Sequence, residues 1–112
     1  MPLINLRTNI SDIQDADGLL KNLSAALASA TGKPESYVMT LLESGMPMTF
    51  AASDEPCAYV EIKSIASMTP PAMSAQFCEL INASLGISKD RIYIGFDDVS
   101  ASDWGWDGRT FG

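Results

Sequence analysis

A proline stands directly after the initiator methionine, and the strand-like run Leu3-Ile4-Asn5-Leu6 follows it. Methionine removal is favoured when the second residue is small, so the mature chain is expected to begin at Pro2. That leaves a secondary amine at the head of an ordered strand. A free α-amino group titrates at about 7.7–8.0 in a short peptide. Apolar surroundings or a neighbouring lysine lower that value, toward the range in which a general base works. With Met1 attached, the same nitrogen is a tertiary amide and offers no basicity. The plain alternative is that Pro2 merely follows Met1 and does no chemistry. The dipeptide alone does not decide between them.

Other side chains narrow the chemistry. Histidine is absent, which removes His-based triads and His-containing metal sites. Two cysteines, Cys57 and Cys78, do not make a disulfide framework. Seven basic residues against fourteen acidic ones give a net charge of −7. The cations Arg7, Lys21, Lys33, Lys63, Lys89, Arg91 and Arg109 are scattered, so binding to nucleic acid or to anionic lipid is disfavoured. One well-placed lysine still suffices to hold an anionic substrate. No apolar run reaches transmembrane length, and the N-terminus lacks a basic segment followed by an apolar one. Cytosolic residence is the default expectation.

The elements that must position such a site read as strand, helix, strand, repeated once, within a single domain over residues 1–112. Residues 3–8 form a first strand. Asp12 or Asp15 caps a helix whose apolar stripe runs Leu19, Leu20, Leu23, Ala26, Leu27 and Ala30. Thr31-Gly32-Lys33-Pro34 ends it, and residues 37–42 return as a strand. Residues 43–55 read as loop, with a short extended piece at Thr49-Phe50. Residues 57–65 give the clearest strand. Thr69-Pro70-Pro71 opens a second helix with Met73, Phe77, Leu80, Ile81 and Leu85 on its apolar side, and Gly86 closes it. Residues 91–96 form the fourth main strand, and Trp104-Gly105-Trp106 a short last one. The expected fold is α/β (α+β): two β-α-β units making a two-layer sandwich, a mixed sheet of four main strands with two helices on one face. The other face is expected to be apolar and covered by self-association.

With these residues in view, the chain resembles the macrophage migration inhibitory factor family of the tautomerase superfamily along nearly its whole length. The resemblance rests on Pro2, Ala30-Thr31-Gly32-Lys33-Pro34 and Ser53-Asp54-Glu55-Pro56-Cys57-Ala58. It continues through Ser64-Ile65, Ile87-Ser88-Lys89-Asp90-Arg91-Ile92-Tyr93-Ile94 and the tail Gly105-Trp106-Asp107-Gly108-Arg109-Thr110-Phe111. It implies a homotrimer whose sheets surround a central channel, with active sites between subunits and no cofactor or metal. It also implies keto-enol tautomerisation of small aromatic α-keto acids such as phenylpyruvate, with the N-terminal proline as general base. On that basis Pro2 moves the proton, while Lys33 and the backbone amide of Ile65 hold the substrate carboxylate. Tyr93 from an adjacent subunit lines the pocket, and Trp106 and Phe111 supply aromatic walls. The alternative for Ile65 and Tyr93 is plain packing, and for Trp106 and Phe111 core or trimer contacts.

Departures from the family pattern bear on specificity. Gly95 stands where animal members carry an asparagine beside the pocket, which removes a hydrogen-bonding side chain and is expected to open space. Phe96 and Asp97 replace tyrosines, and Trp104 is large enough to refill some of the vacated volume. Position 60 is Val60, so no Cys-x-x-Cys pair exists with Cys57 and thiol-disulfide activity is not expected. The competing reading is a cytokine-like interaction protein that binds a protein receptor. Relatives leave cells without a signal peptide, so non-classical secretion is compatible with it.

Overall fold

The computed structural model describes residues 1–112. Its main sheet contains β1 (Leu3–Thr8), β2 (Met39–Glu43), β3 (Ala58–Ser64) and β4 (Ile92–Asp98), in the order β2-β1-β3-β4. The pairs β1–β2 and β3–β4 are parallel, and β1–β3 is antiparallel. Helices α1 (Ala16–Thr31) and α2 (Pro70–Leu85) make the two crossovers. This is the mixed sheet with two β-α-β units that the alternating pattern implies.

Spacing explains which groups form the core. Leu19, Leu23 and Leu27 recur every fourth residue on α1, as do Met73, Phe77 and Ile81 on α2, so each set lies along one helix face. They meet Ile4, Leu6, Val60 and Ile62, which alternate with wetter residues along the two central strands and are fully buried. Of the two candidate caps, Asp15 holds the start of α1, its carboxylate accepting from the Gly18 N–H at 3.0 Å. Gly32 ends α1 at φ 68°, a left-handed turn that glycine adopts without strain and that redirects the chain at Lys33.

Several boundaries differ from expectation. Residues Glu35–Tyr37 form a short 3₁₀ turn, and β2 begins only at Met39. Pro34 accepts from the Tyr37 N–H at 3.1 Å, and Glu35 and Ser36 have little strand preference to oppose the turn. Strand β4 continues past Phe96 to Asp98 because β3 still offers Lys63 and Ser64 as partners. Only an isolated bridge, Phe50 to Ser53, represents the extended piece in the long loop. The C-terminal strand is a hairpin, β5 (Gly105–Trp106) and β6 (Arg109–Thr110), around an Asp107-Gly108 turn with both residues at positive φ.

The helix-free face of the sheet is not apolar as expected. Its central strands carry Asn5, Arg7, Glu61 and Lys63, and the edge strands add Glu43 and Asp97. Arg7 donates to Glu43 at 2.8 Å, and Lys63 faces Asp97 at 3.8 Å. The hydrogen bond and charge of Glu43 raise the pKa of Arg7, and hydrogen bonds from Arg7 and then Asn5 hold Glu43 below the usual carboxylate range. Exposed apolar groups keep instead to the edges, with Met39 and Leu41 on β2 and Tyr93 on β4. Two free cysteines complete the inventory, Cys57 buried and Cys78 half-buried. No helix is long and apolar enough to cross a membrane.

Truncating the ring at the centre of this core tests the packing directly. Phe77 is fully buried, and Phe77→Ala is expected to cost about 3–5 kcal/mol. Urea unfolding at one fixed protein concentration reads this as a lowered midpoint with little change in slope.

Candidate active site

The N-terminal corner is built by strand pairing on both sides of β1. The Pro2 carbonyl accepts from the Met39 N–H at 3.1 Å, and the Pro2 ring is fully buried. Within a strand the nitrogen and the carbonyl of one residue point to the same side. The Pro2 nitrogen therefore faces the β2 edge. On the other side, continuing the register of Leu3 with Lys63 sets Pro2 opposite Ser64 and Met1 opposite Ile65. Ile65 follows β3 directly. The chain then turns through Ala66 and Ser67, at φ 58° and 62°, and the Ala66 N–H is fixed on the Asp98 carboxylate at 2.9 Å. Ser64 is buried beside this corner, and its hydroxyl has no partner.

Lys33 reaches the same corner from the end of α1. Burial, and secondly the Lys33 charge, hold the Met1 α-ammonium below its ordinary value of 8.0. Desolvation penalises the charged form of an amine, and a nearby cation does so again. A chain terminus placed here is thus driven toward its neutral, basic form while a cation stands beside it. That combination suits proton abstraction from an anionic molecule.

Aromatic groups gather next to the corner. Tyr37, two residues before Met39, meets Trp106 edge-on at 5.6 Å and Phe111 at 6.3 Å. Trp106 and Phe111 stack at 5.7 Å with 12° between their planes, and the Arg109 guanidinium lies 4.9 Å over Trp106. Trp106 and Phe111 are expected here from the sequence. Tyr37 is not, because Tyr37-Val38-Met39 reads as the start of a strand rather than the end of a 3₁₀ turn. The proline-led Pro34-Glu35-Ser36 segment is the available signal for that turn.

Tyr93 lies elsewhere. It pairs in register with Tyr59, and Tyr59 with Arg7. Five residues of β1 separate that row from Pro2, about 17 Å along the strand. Tyr93 cannot reach the Pro2 corner of its own chain. Its ring packs on Phe50 at 4.8 Å. Phe50 is in turn braced by Arg91, which donates to the carbonyls of Phe50, Ser53, Glu55 and Pro56 at 2.9–3.1 Å. Phe50, Tyr59 and Tyr93 line a largely apolar cleft of about 460 Å³. The space over Gly95 is only partly open: a Cβ there would lie 3.3 Å from the Tyr59 hydroxyl, and beside that hydroxyl remains a hollow of about 240 Å³ bounded by Glu61, Lys63 and Asp97. Trp104 does not refill it, lying instead with Leu3 and Lys63. Nowhere do three or more His, Cys, Asp or Glu side chains converge as metal ligands.

The family model for macrophage migration inhibitory factor matches residues 1–112. The chain belongs to the macrophage migration inhibitory factor family. It is thereby a member of the tautomerase superfamily. Macrophage migration inhibitory factor of Meriones unguiculatus is 38% identical over 114 residues, with 99% of each chain covered. The crystal structure of a homologue from Prochlorococcus marinus superimposes with a TM-score of 0.95 at 50% identity, covering 98% of this chain and 99% of that one. The factor from Trichinella spiralis gives 0.92 at 32% identity, covering 97% and 99%. The backbone that sets Pro2, Lys33 and Ile65 at one corner is therefore shared with solved members of the family.

The electrostatics of the corner can be read by titration. In chains that retain Met1, the α-amine is expected to titrate below 8.0 by NMR of an isotope-labelled terminus. Lys33→Met removes the smaller of the two causes, so the value should rise yet stay below 8.0 because burial persists. An unchanged value in the variant would place Lys33 out of range.

Proposed function

We propose that the chain is a cofactor-independent keto-enol tautomerase acting on phenylpyruvate-like α-keto acids, with the free amine of Pro2 as general base. The amine takes a proton from the carbon beside the ketone, leaving an enolate, and the same proton returns to the ketone oxygen to give the enol. The reverse passage uses the same groups. No electrons enter or leave, and nothing beyond substrate and protein is consumed.

One observation carries this reading above the others. The Met1 α-amine, one residue before Pro2, is held below its ordinary value by burial and then by Lys33. A free Pro2 amine at this corner would meet the same two influences, which favour the neutral form that a base requires. Lys33 and the Ile65 N–H would take the substrate carboxylate. Tyr37, Trp106 and Phe111 would border the aromatic ring and exclude water, which strengthens both contacts.

The site is completed by a second copy. Tyr93 is about two-thirds exposed and stands at the far end of the sheet from Pro2, so it would serve the Pro2 corner of a neighbouring subunit. The distribution of side chains supports a homotrimer built edge to edge. Apolar groups occupy the sheet margins at Met39, Leu41 and Tyr93, while the charged centre is suited to a wetted channel.

Phenylpyruvate tautomerisation tests the proposal, with intact mass establishing that the chain begins at Pro2. Pro2→Gly is expected to lower kcat/KM by about 10²-fold or more. Lys33→Gln should raise KM about tenfold with a smaller change in kcat, as expected when a charge-assisted contact to the bound anion is lost. Equal rates for the Pro2→Gly and parent proteins would remove Pro2 from the mechanism.

A further inference from the structure

The turn after β3 is held by the end of β4 at two points. The Ser64 carbonyl accepts from the Val99 N–H at 2.9 Å, and the Ala66 N–H donates to Asp98 Oδ1 at 2.9 Å. Ile65 lies between them. In a trans peptide the carbonyl and the N–H that follows it point in opposite directions. A Ser64 carbonyl turned toward β4 therefore sends the Ile65 N–H the other way, toward β1. The continued register sets Met1 opposite Ile65 on that side, so the N–H is aimed at the Pro2 corner. It donates to no group of the chain.

Keeping this peptide in place strains the backbone beyond it. Ala66 and Ser67 stand at φ 58° and 62°, left-handed conformations that residues with a Cβ rarely adopt. Such angles persist only where the surrounding structure fixes them. No other hydrogen bond holds the backbone from Ile65 to Met68, so Asp98 is the one side chain that does so. Asp98 is itself placed by pairing, since it ends β4 in register with Ser64. Its negative charge would repel a second carboxylate. Any gain for an anionic substrate must come through the backbone that it holds.

We infer that Asp98 is a positioning residue for the substrate carboxylate. By accepting from the Ala66 N–H it keeps the strained turn closed, and the Ile65 N–H stays directed at the corner. The inference rests on the proposed tautomerase, in which that N–H and Lys33 hold the carboxylate. Asp98 touches neither the substrate nor the base. Without it, Ala66 and Ser67 relax toward ordinary negative φ and the Ile65 peptide loses its fixed direction, while Pro2 and Lys33 keep theirs.

The test measures KM and kcat for phenylpyruvate in the parent enzyme, in Asp98→Ala and in Asp98→Asn. Asp98 is exposed, so the fold is expected to survive both changes. Asp98→Ala should raise KM about fivefold with kcat within about twofold, because a contact to the carboxylate serves bound substrate and transition state alike. Asp98→Asn retains an accepting oxygen and should recover most of that loss, which separates the hydrogen bond from the charge. An Asp98→Ala enzyme with unchanged KM, or one that loses kcat as strongly as it gains KM, overturns the inference. So does an Asp98→Asn enzyme as impaired as Asp98→Ala. A parent enzyme that does not turn over phenylpyruvate overturns the tautomerase reading, and this inference with it.

Discussion

The site depends on β1 being held from both sides at its first residue. Pairing with β2 fixes the carbonyl of Pro2, and the antiparallel register with β3 fixes what stands across from it. Were β1 an edge strand, its terminus would fray, as chain ends do when nothing ties them down. As a central strand it holds the terminus against Lys33, with its side chain buried. Both crossovers serve this placement. Helix α1 ends in the left-handed turn at Gly32 that delivers Lys33, and the turn after β3 sets Ile65 opposite Met1.

The open face shows how assembly and chemistry are connected. A sheet with charged residues across its centre gains little from being buried dry, because each charge would have to be desolvated. Apolar groups at its margins are different, since they lose unfavourable exposure when two edges meet. The same margins carry Tyr93, separated from Pro2 of its own chain by the length of the sheet. In the proposed trimer, edge-to-edge association would cover apolar surface and bring Tyr93 to the Pro2 corner of a neighbouring chain. Arg91 supports Tyr93 from behind by gathering four loop carbonyls around Phe50.

Much of this is legible in the residues. Fourfold apolar spacing marks both helices, Gly32 and Gly86 mark their ends, and alternation marks the central strands. The order of Pro2, the Lys33 turn, Ser64-Ile65 and the aromatic tail points to the family from residue types and spacing alone. What sequence hides are contacts between elements. The hydrophilic character of the open face follows from register, which decides whether Asn5, Arg7 and Glu61 share a side. Tyr37 looks like a strand residue because the strand propensity of Tyr37-Val38-Met39 masks the turn signal of the proline-led segment before it. Gly95 looks like wholly vacated space, since nothing local says that Tyr59, on the neighbouring strand, takes up part of it.

The central claim is that a free Pro2 amine is the base, and Met1 provides its most direct test. Turnover of phenylpyruvate should be measured on one preparation as an aminopeptidase removes Met1, with intact mass giving the fraction of chains that begin at Pro2. The account predicts a rate proportional to that fraction and extrapolating to almost nothing where every chain retains Met1. A Met1-bearing protein that turns over as fast as the processed one would contradict it, because its Pro2 nitrogen is an amide.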